Sequence, residues 1–245
     1  MREIGKTLAV ELKKEKRTGV ILLMPAVGIL GAAYAFLNFM VRKETLLHLP
    51  LAPMDVLLTQ LYGMIMILNM FGIIAAACII YHIEFSGNAV KKMYLLPVSV
   101  SSVYFCKFLI LTIMLFAAVG LQNLALAKIG LSDLPHGTFV PKMLFSFVGY
   151  SFITSMPVLS FMLLMASRFP NIWVALGIGV AGFLSGMALA PANIIWLCIH
   201  PFVIMLKPAV AMCAQTDWIV VIFALAETAM FLVIGLCFAE NLRYE

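Results

Sequence analysis

Apolar and polar positions along this chain alternate in blocks of membrane length, not in the short periods of a soluble fold. Apolar runs at residues 18–41, 56–81, 102–127, 142–167, 172–190 and 218–239 each approach or exceed the about 20 residues a helix needs to cross a bilayer. Polar residues and prolines separate them: Arg42 to Asp55, Lys128 to Pro141, and Ser167 to Asn171. Pro157 lies inside the fourth run and predicts a kink. Residues 191–216 are apolar but interrupted by Pro191, Asn193, His200, Pro201, Lys207 and Pro208. That stretch predicts two short interfacial or re-entrant helices; a full crossing by residues 194–206 would instead give seven spans. The predicted fold is therefore all-α and integral to the membrane, a single domain of six transmembrane helices over residues 1–245.

Two polar segments stand outside this rhythm. In residues 1–17, Ile4, Leu8 and Leu12 repeat at helical spacing while Arg2, Lys6, Lys13, Lys14, Lys16 and Arg17 cover much of the rest. This predicts a basic amphipathic helix on the membrane surface. Glu3, Glu11 and Glu15, with a membrane-length run behind them, argue against a signal peptide. The second segment is Glu84 to Ser99, the longest internal polar interruption. Ser86 can cap a helix, Val90, Met93, Tyr94 and Pro97 fall on one face, and Lys91 and Lys92 lie on the other. Pro97 ends the element, so the spacing predicts a short helix over 86–97. Ser99 or Ser101 can then cap a helix beginning near Ser102. About ten residues do not hold a helix in water alone, so this one must rest on a membrane face or a partner.

Composition agrees with the pattern. The 245 residues are 64% hydrophobic and 11% charged, whereas soluble domains are about a quarter charged. The net charge of +5 gathers near the N-terminus and suits anionic lipid; no basic–aromatic interleaving supports nucleic-acid binding. With six spans both termini share a side. Placing them in the cytoplasm puts eleven of the sixteen Lys and Arg inside, the other five being Arg42, Lys43, Lys128, Lys142 and Lys207. The five cysteines read as small buried hydrophobes, a Cys198–Cys213 disulfide being the one conceivable pairing.

The Glu84–Ser99 stretch resembles the first cytoplasmic loop of type-2 ABC exporter permeases. The matching residues are Glu84 at the end of the second span, Gly87, Leu96-Pro97-Val98-Ser99, and Lys107 opening the third span. Asn88 and Val100 depart from the usual pattern. The start of the chain, Leu12-Lys-Lys-Glu-Lys-Arg-Thr18 followed by an apolar run holding Pro25, is similar to that of lantibiotic-immunity permeases (the MutE/EpiE-like group). The resemblance implies that residues 86–97 form a coupling helix gripped by a separate ABC ATPase dimer. Glu84, Gly87, Lys91, Lys92, Met93, Leu96, Pro97, Ser99 and Lys107 would then be the coupling residues. It also implies a second, non-identical permease subunit, a place in the bacterial plasma membrane, and an amphipathic antimicrobial peptide as cargo. Drugs, lipids or polysaccharides are the alternatives within that class. ATP and Mg would belong to the ATPase, and no cofactor or metal is expected in this chain.

Few residues carry candidate chemistry. Glu227 lies near the middle of the sixth run, where a carboxylate costs at least roughly 2.5–3.5 kcal/mol on insertion scales. It is expected either to mark the translocation path or to bond a neighbouring helix through Thr228, a Ser or another subunit. Glu84 and His82 suggest an interfacial pair near Lys107 or a partner's basic residue; metal binding would need more ligands than they supply. Gly182, Gly186 and Ala190 form a ridge for close helix packing, and Gly28, Gly31, Ala32 and Ala35 give the first span the same smoothness. Packing within the subunit and a seam between subunits are both open for these glycines; the resemblance implies a seam of the first and fifth spans. There is no Gly-x-x-x-x-Gly-Lys-Ser/Thr, no His-Glu-x-x-His and no Gly-x-Ser-x-Gly, so neither P-loop ATP binding nor these hydrolases are indicated. A non-transport scaffold or an intramembrane hydrolase remains the reading from another class.

Overall fold

A computed structural model describes residues 2–16, 19–85, 99–135, 137–192, 194–211 and 213–241. Every regular element among them is helical. In chain order these are α1 (Arg2–Glu15), α2 (Val20–Leu47), α3 (Pro53–Phe85), α4 (Val100–Asp133), α5 (Pro141–Arg168) and α6 (Ile172–Leu189). A 3₁₀ turn (Ile195–Ile199), α7 (Pro201–Val210) and α8 (Trp218–Asn241) follow. Six of the helices, α2 to α6 and α8, are long and apolar enough to cross a membrane. The expected helix over residues 86–97 lies outside the described residues, and with it Gly87, Lys91, Lys92, Met93, Leu96 and Pro97.

The spans run longer than the apolar runs that announce them. Helix α2 was expected to stop at residue 41, with Arg42 opening a loop; it continues to Leu47 across a distortion at Arg42 (φ −111°, ψ 15°). Two contacts hold the extra turn. Leu46 is buried, and Lys43 forms an ion pair with Asp133 while lying 5.8 Å from the Phe39 ring centroid. Helix α3 enters through a single α turn and a π-helical turn, Val56–Gln60, and Asp55 beside them accepts a hydrogen bond from the Ala214 N–H at 2.8 Å. Helix α4 begins at Val100 with Ser99 in the capping position. The Ser99 hydroxyl meets that of Ser102 at 2.6 Å and bonds no backbone N–H.

Where two short helices were expected, the broken stretch 191–216 holds the 3₁₀ turn Ile195–Ile199 and one short helix, α7. Helix α7 is not laid on a surface: Phe202, Val203, Ile204, Met205 and Leu206 are all buried, and α3, α5 and α6 surround it. His200 sits at its start, and burial pulls the imidazole pKa below the ordinary histidine range. The ring nitrogen Nε2 lies 3.1 Å from the Ser185 hydroxyl.

The glycine ridge explains how α7 fits. A Cβ on Gly182 would stand 2.3 Å from the Phe202 ring, and one on Gly186 would stand 2.8 Å from the Phe202 Cβ. Gly28 meets the Ala118 backbone and Gly31 meets the Gln122 side chain. All four glycines are therefore used inside this chain. Of the two roles open for these glycines, these contacts are packing within the subunit, and the smooth face of Gly28 and Gly31 turns inward to α4. The apolar surfaces left open on α2 and α6 are made by large residues instead, Leu22, Ile29, Leu37 and Met40 on one, Trp173 and Leu184 on the other.

Helices α5 and α8 run side by side in the same direction. Ser146 with Thr216, Phe161 with Phe231 and Arg168 with Phe238 are in contact, each pair seventy positions apart. That register sets Glu227 level with Pro157.

Candidate functional site

The most concentrated chemistry lies where α1 meets the ends of α3 and α4, at the two roots of the 86–98 segment. Glu84 stands one residue before α3 ends, and Lys107 two turns into α4. Lys107 is fully buried. Its ammonium lies 3.0 Å from Glu84 Oε1, 2.8 Å from Glu11 Oε2 and 3.3 Å from Glu15 Oε1, and it donates to the Ile80 carbonyl at 3.3 Å. It also stands 5.7 Å from the Tyr81 ring centroid. Lys14 completes the group, donating to Glu11 at 2.9 Å and Glu84 at 3.0 Å.

Sequence spacing builds this arrangement. Glu11 and Glu15 are four apart on α1 and so share a face, one above the other. Both are buried, while Val10 and Leu12 are exposed. The face that α1 turns to the bundle at this end is thus acidic. Beyond the amphipathic pattern predicted for this helix, Lys13 and Lys16 are exposed beside the acidic pair, and Lys14 bridges it to Glu84.

Such a cluster survives burial because every charge faces an opposite one. An ion alone in a low-dielectric site costs several kcal/mol, and its partners must return that loss. For half-buried Lys14, burial acts to lower the pKa; the hydrogen bond and charge of Glu11 and the charge of Glu84 outweigh it and hold the ammonium above its ordinary range. The cluster therefore clamps three segments: the leading helix and both flanks of the 86–98 segment.

His82, expected beside Glu84, is exposed and outside the cluster. Among the described residues no group of three or more His, Cys, Asp and Glu is arranged to hold a metal ion. All five cysteines are free, which excludes the Cys198–Cys213 disulfide.

Two further polar features lie deeper. Asn69 on α3 and Gln122 on α4 exchange hydrogen bonds at 2.8 and 2.7 Å, and Gln122 also donates to the Val27 carbonyl of α2 at 3.3 Å. Sequence reading missed this clamp, whose only signal is the amides inside two apolar runs, Gln60 and Asn69 in one and Gln122 and Asn123 in the other. Glu227 on α8 is the opposite case. It is 6% exposed, and neither carboxylate oxygen has a hydrogen-bond partner among the described residues. Thr228, one of the partners expected for it, donates to the Ala224 carbonyl at 2.7 Å instead. The buried hydroxyls of α5, Ser151, Thr154, Ser155 and Ser160, likewise bond carbonyls of their own helix.

The comparison with known families supplies the context. A family model described as "ABC-2 family transporter protein" matches residues 7–186 of the chain. That range holds α1 from Thr7 onward, the ion cluster, the 86–98 segment and five of the six spans. No curated protein and no solved structure matches the chain.

Proposed function

The chain belongs to the ABC-2 transporter family and is a multi-pass membrane subunit of an ABC transporter, and we propose that it is an exporter permease moved by an ATPase that grips residues 86–97. The observation that carries this reading is the buried Lys107 cluster. A loop that only joins two spans needs no anchoring; here both of its roots are tied to each other through Glu84 and Lys107, and to α1 through Glu11, Glu15 and Lys14. A force applied to the loop would then reach α1, α3 and α4 together.

In this mechanism Gly87, Lys91, Lys92, Met93, Leu96, Pro97 and Ser99 are the coupling residues the ATPase acts on. ATP and Mg are bound by the ATPase dimer, whose closure rocks this subunit against a second permease subunit, non-identical in the proposed assembly. Both termini lie in the cytoplasm of a bacterial cell, which the positive-inside distribution supports.

The proposed cargo is an amphipathic antimicrobial peptide, as in lantibiotic immunity. The similarity of the Leu12–Thr18 segment to those permeases supports it. Glu227 is its proposed polar contact, because an unsatisfied buried carboxylate is a demand for a cation.

The test is reconstitution with the ATPase. Reversing Lys91 and Lys92 to Glu is expected to abolish stimulation of ATP hydrolysis and peptide resistance while membrane insertion stays normal. Undiminished resistance in that variant would remove the coupling role. Failure of any ABC ATPase to co-purify with the chain would remove the exporter assignment altogether.

A further inference from the structure

At the end of the bundle away from α1, an open cleft of about 470 Å³ lies between α5, α7 and the start of α8. Its volume falls in the range of small-molecule sites, roughly 300–1,000 Å³. Tyr150, Ile195 and Val220 give it apolar walls, and Gln215, Lys207 and Asp217 give it polar ones.

The two charges carry the argument. Lys207, in the last turn of α7, donates to the Ala192 carbonyl at 3.3 Å. Asp217 is exposed and accepts from the Ile219 N–H at 2.9 Å, capping α8. Both line the cleft, and neither takes part in an ion pair among the described residues, with the other or with any third group. A cleft that holds unlike charges apart suits a ligand that carries both.

The rim fixes what kind of ligand. Trp196 and Trp218 are 73% and 72% exposed beside the cleft, and Ile194, Ile195 and Ile219 are about half exposed. Indoles at that level mark the membrane–water interface, and the isoleucines continue the apolar surface toward the bilayer. We propose that this cleft binds the zwitterionic headgroup of a membrane phospholipid, its phosphate on Lys207 and its ammonium on Asp217, with an acyl chain along the Ile195–Ile219 surface. This site does not depend on the exporter reading: it would stand if no ATPase bound the chain, and fall without affecting the loop.

Native mass spectrometry of the full-length chain, titrated in detergent with phosphatidylethanolamine or phosphatidylglycerol, tests it. Phosphatidylethanolamine is expected to be retained about tenfold better, the equivalent of one charge contact of about 1.4 kcal/mol. Lys207→Gln should weaken retention of both lipids, which share the phosphate, and Asp217→Asn should remove that preference. Lys207→Arg should keep it, and Lys142→Gln, a charge outside the cleft, should not change it. Equal retention of the two lipids, a preference that survives Asp217→Asn, or unchanged retention of both lipids by Lys207→Gln overturns the proposal. So does displacement of the lipid by Lys142→Gln, or binding of a cationic peptide at the cleft with no lipid retained.

Discussion

The ion cluster at the α1 end and the polar groups at mid-bundle solve the same problem differently. The cluster holds five charged side chains in contact, four of them buried and Lys14 half-buried, so each finds an opposite charge within 3.3 Å. Mid-bundle, α3 and α4 use neutral amides that satisfy one another, and α5 turns its hydroxyls back on its own carbonyls. Glu227 follows neither rule. Full mutual pairing marks a structural joint, whereas an isolated buried carboxylate marks a place waiting for something else.

The comparison breaks most sharply at Lys107. Replacing it with Met leaves three carboxylates facing one another around one lysine, and breaking a buried pair costs about 3–5 kcal/mol. We expect Lys107→Met to lose that much in denaturant unfolding of the purified chain, or to fail to accumulate in the membrane. Adding Glu84→Gln should recover part of the loss; no recovery would mean the two side chains act separately.

Glu227→Gln should move stability the other way, a gain of about 1–2 kcal/mol, because it removes a charge without removing a partner. Loss of stability would show that the carboxylate is paired in the assembled transporter. A drop in export of a cationic peptide beside that gain would support the path role.

Asn69→Leu strands the Gln122 amide. Losing a buried partner costs about 1–3 kcal/mol, but hydrogen bonds between membrane helices average nearer 0.6. Gln122 keeps the Val27 carbonyl, so we expect the low end, about 1 kcal/mol, with the Asn69→Leu/Gln122→Leu double variant closer to wild type than the single one.

The smallest effect belongs to Lys43→Ala. Its pair with Asp133 is exposed, 46% and 32% by side chain, and such pairs contribute about 0–1 kcal/mol. Melting curves should be unchanged at high salt, where exposed charges are screened.

pH adds a control. A raised lysine pKa contributes stability that is present below the ordinary lysine range and lost only as pH rises through the raised value. Docking of α1, followed by crosslinking α1 to α4, should therefore be flat from neutral pH downward until the carboxylates titrate. A transition between pH 7 and 9 would show that Lys14 is not held by Glu11 and Glu84.

Much of this architecture was legible in advance, and the misses share one cause. The apolar blocks announced the spans, and Pro191, Pro201 and Pro208 announced the short helical elements. Both signals are local: a bilayer needs a fixed length of apolar helix, and proline cannot continue one. Lys107 was also legible as one of two partners for Glu84, the other being a basic residue of a partner, and the contact is made within the chain. The extension of α2 to Leu47 was not legible, because Lys43 is held there by Asp133, ninety residues away.

From its sequence alone the protein is fixed as a six-span helical membrane subunit with a leading amphipathic helix, because span length and helical period are written residue by residue. Only the tertiary structure decides which side chains meet: that Glu11 and Glu15 turn inward to Lys107, that Gly182 and Gly186 receive Phe202, and that Glu227 meets no partner among the described residues. Those choices depend on which helix lies beside which, and the balance of charge, volume and hydrogen bonding across each contact exists only once the helices are packed.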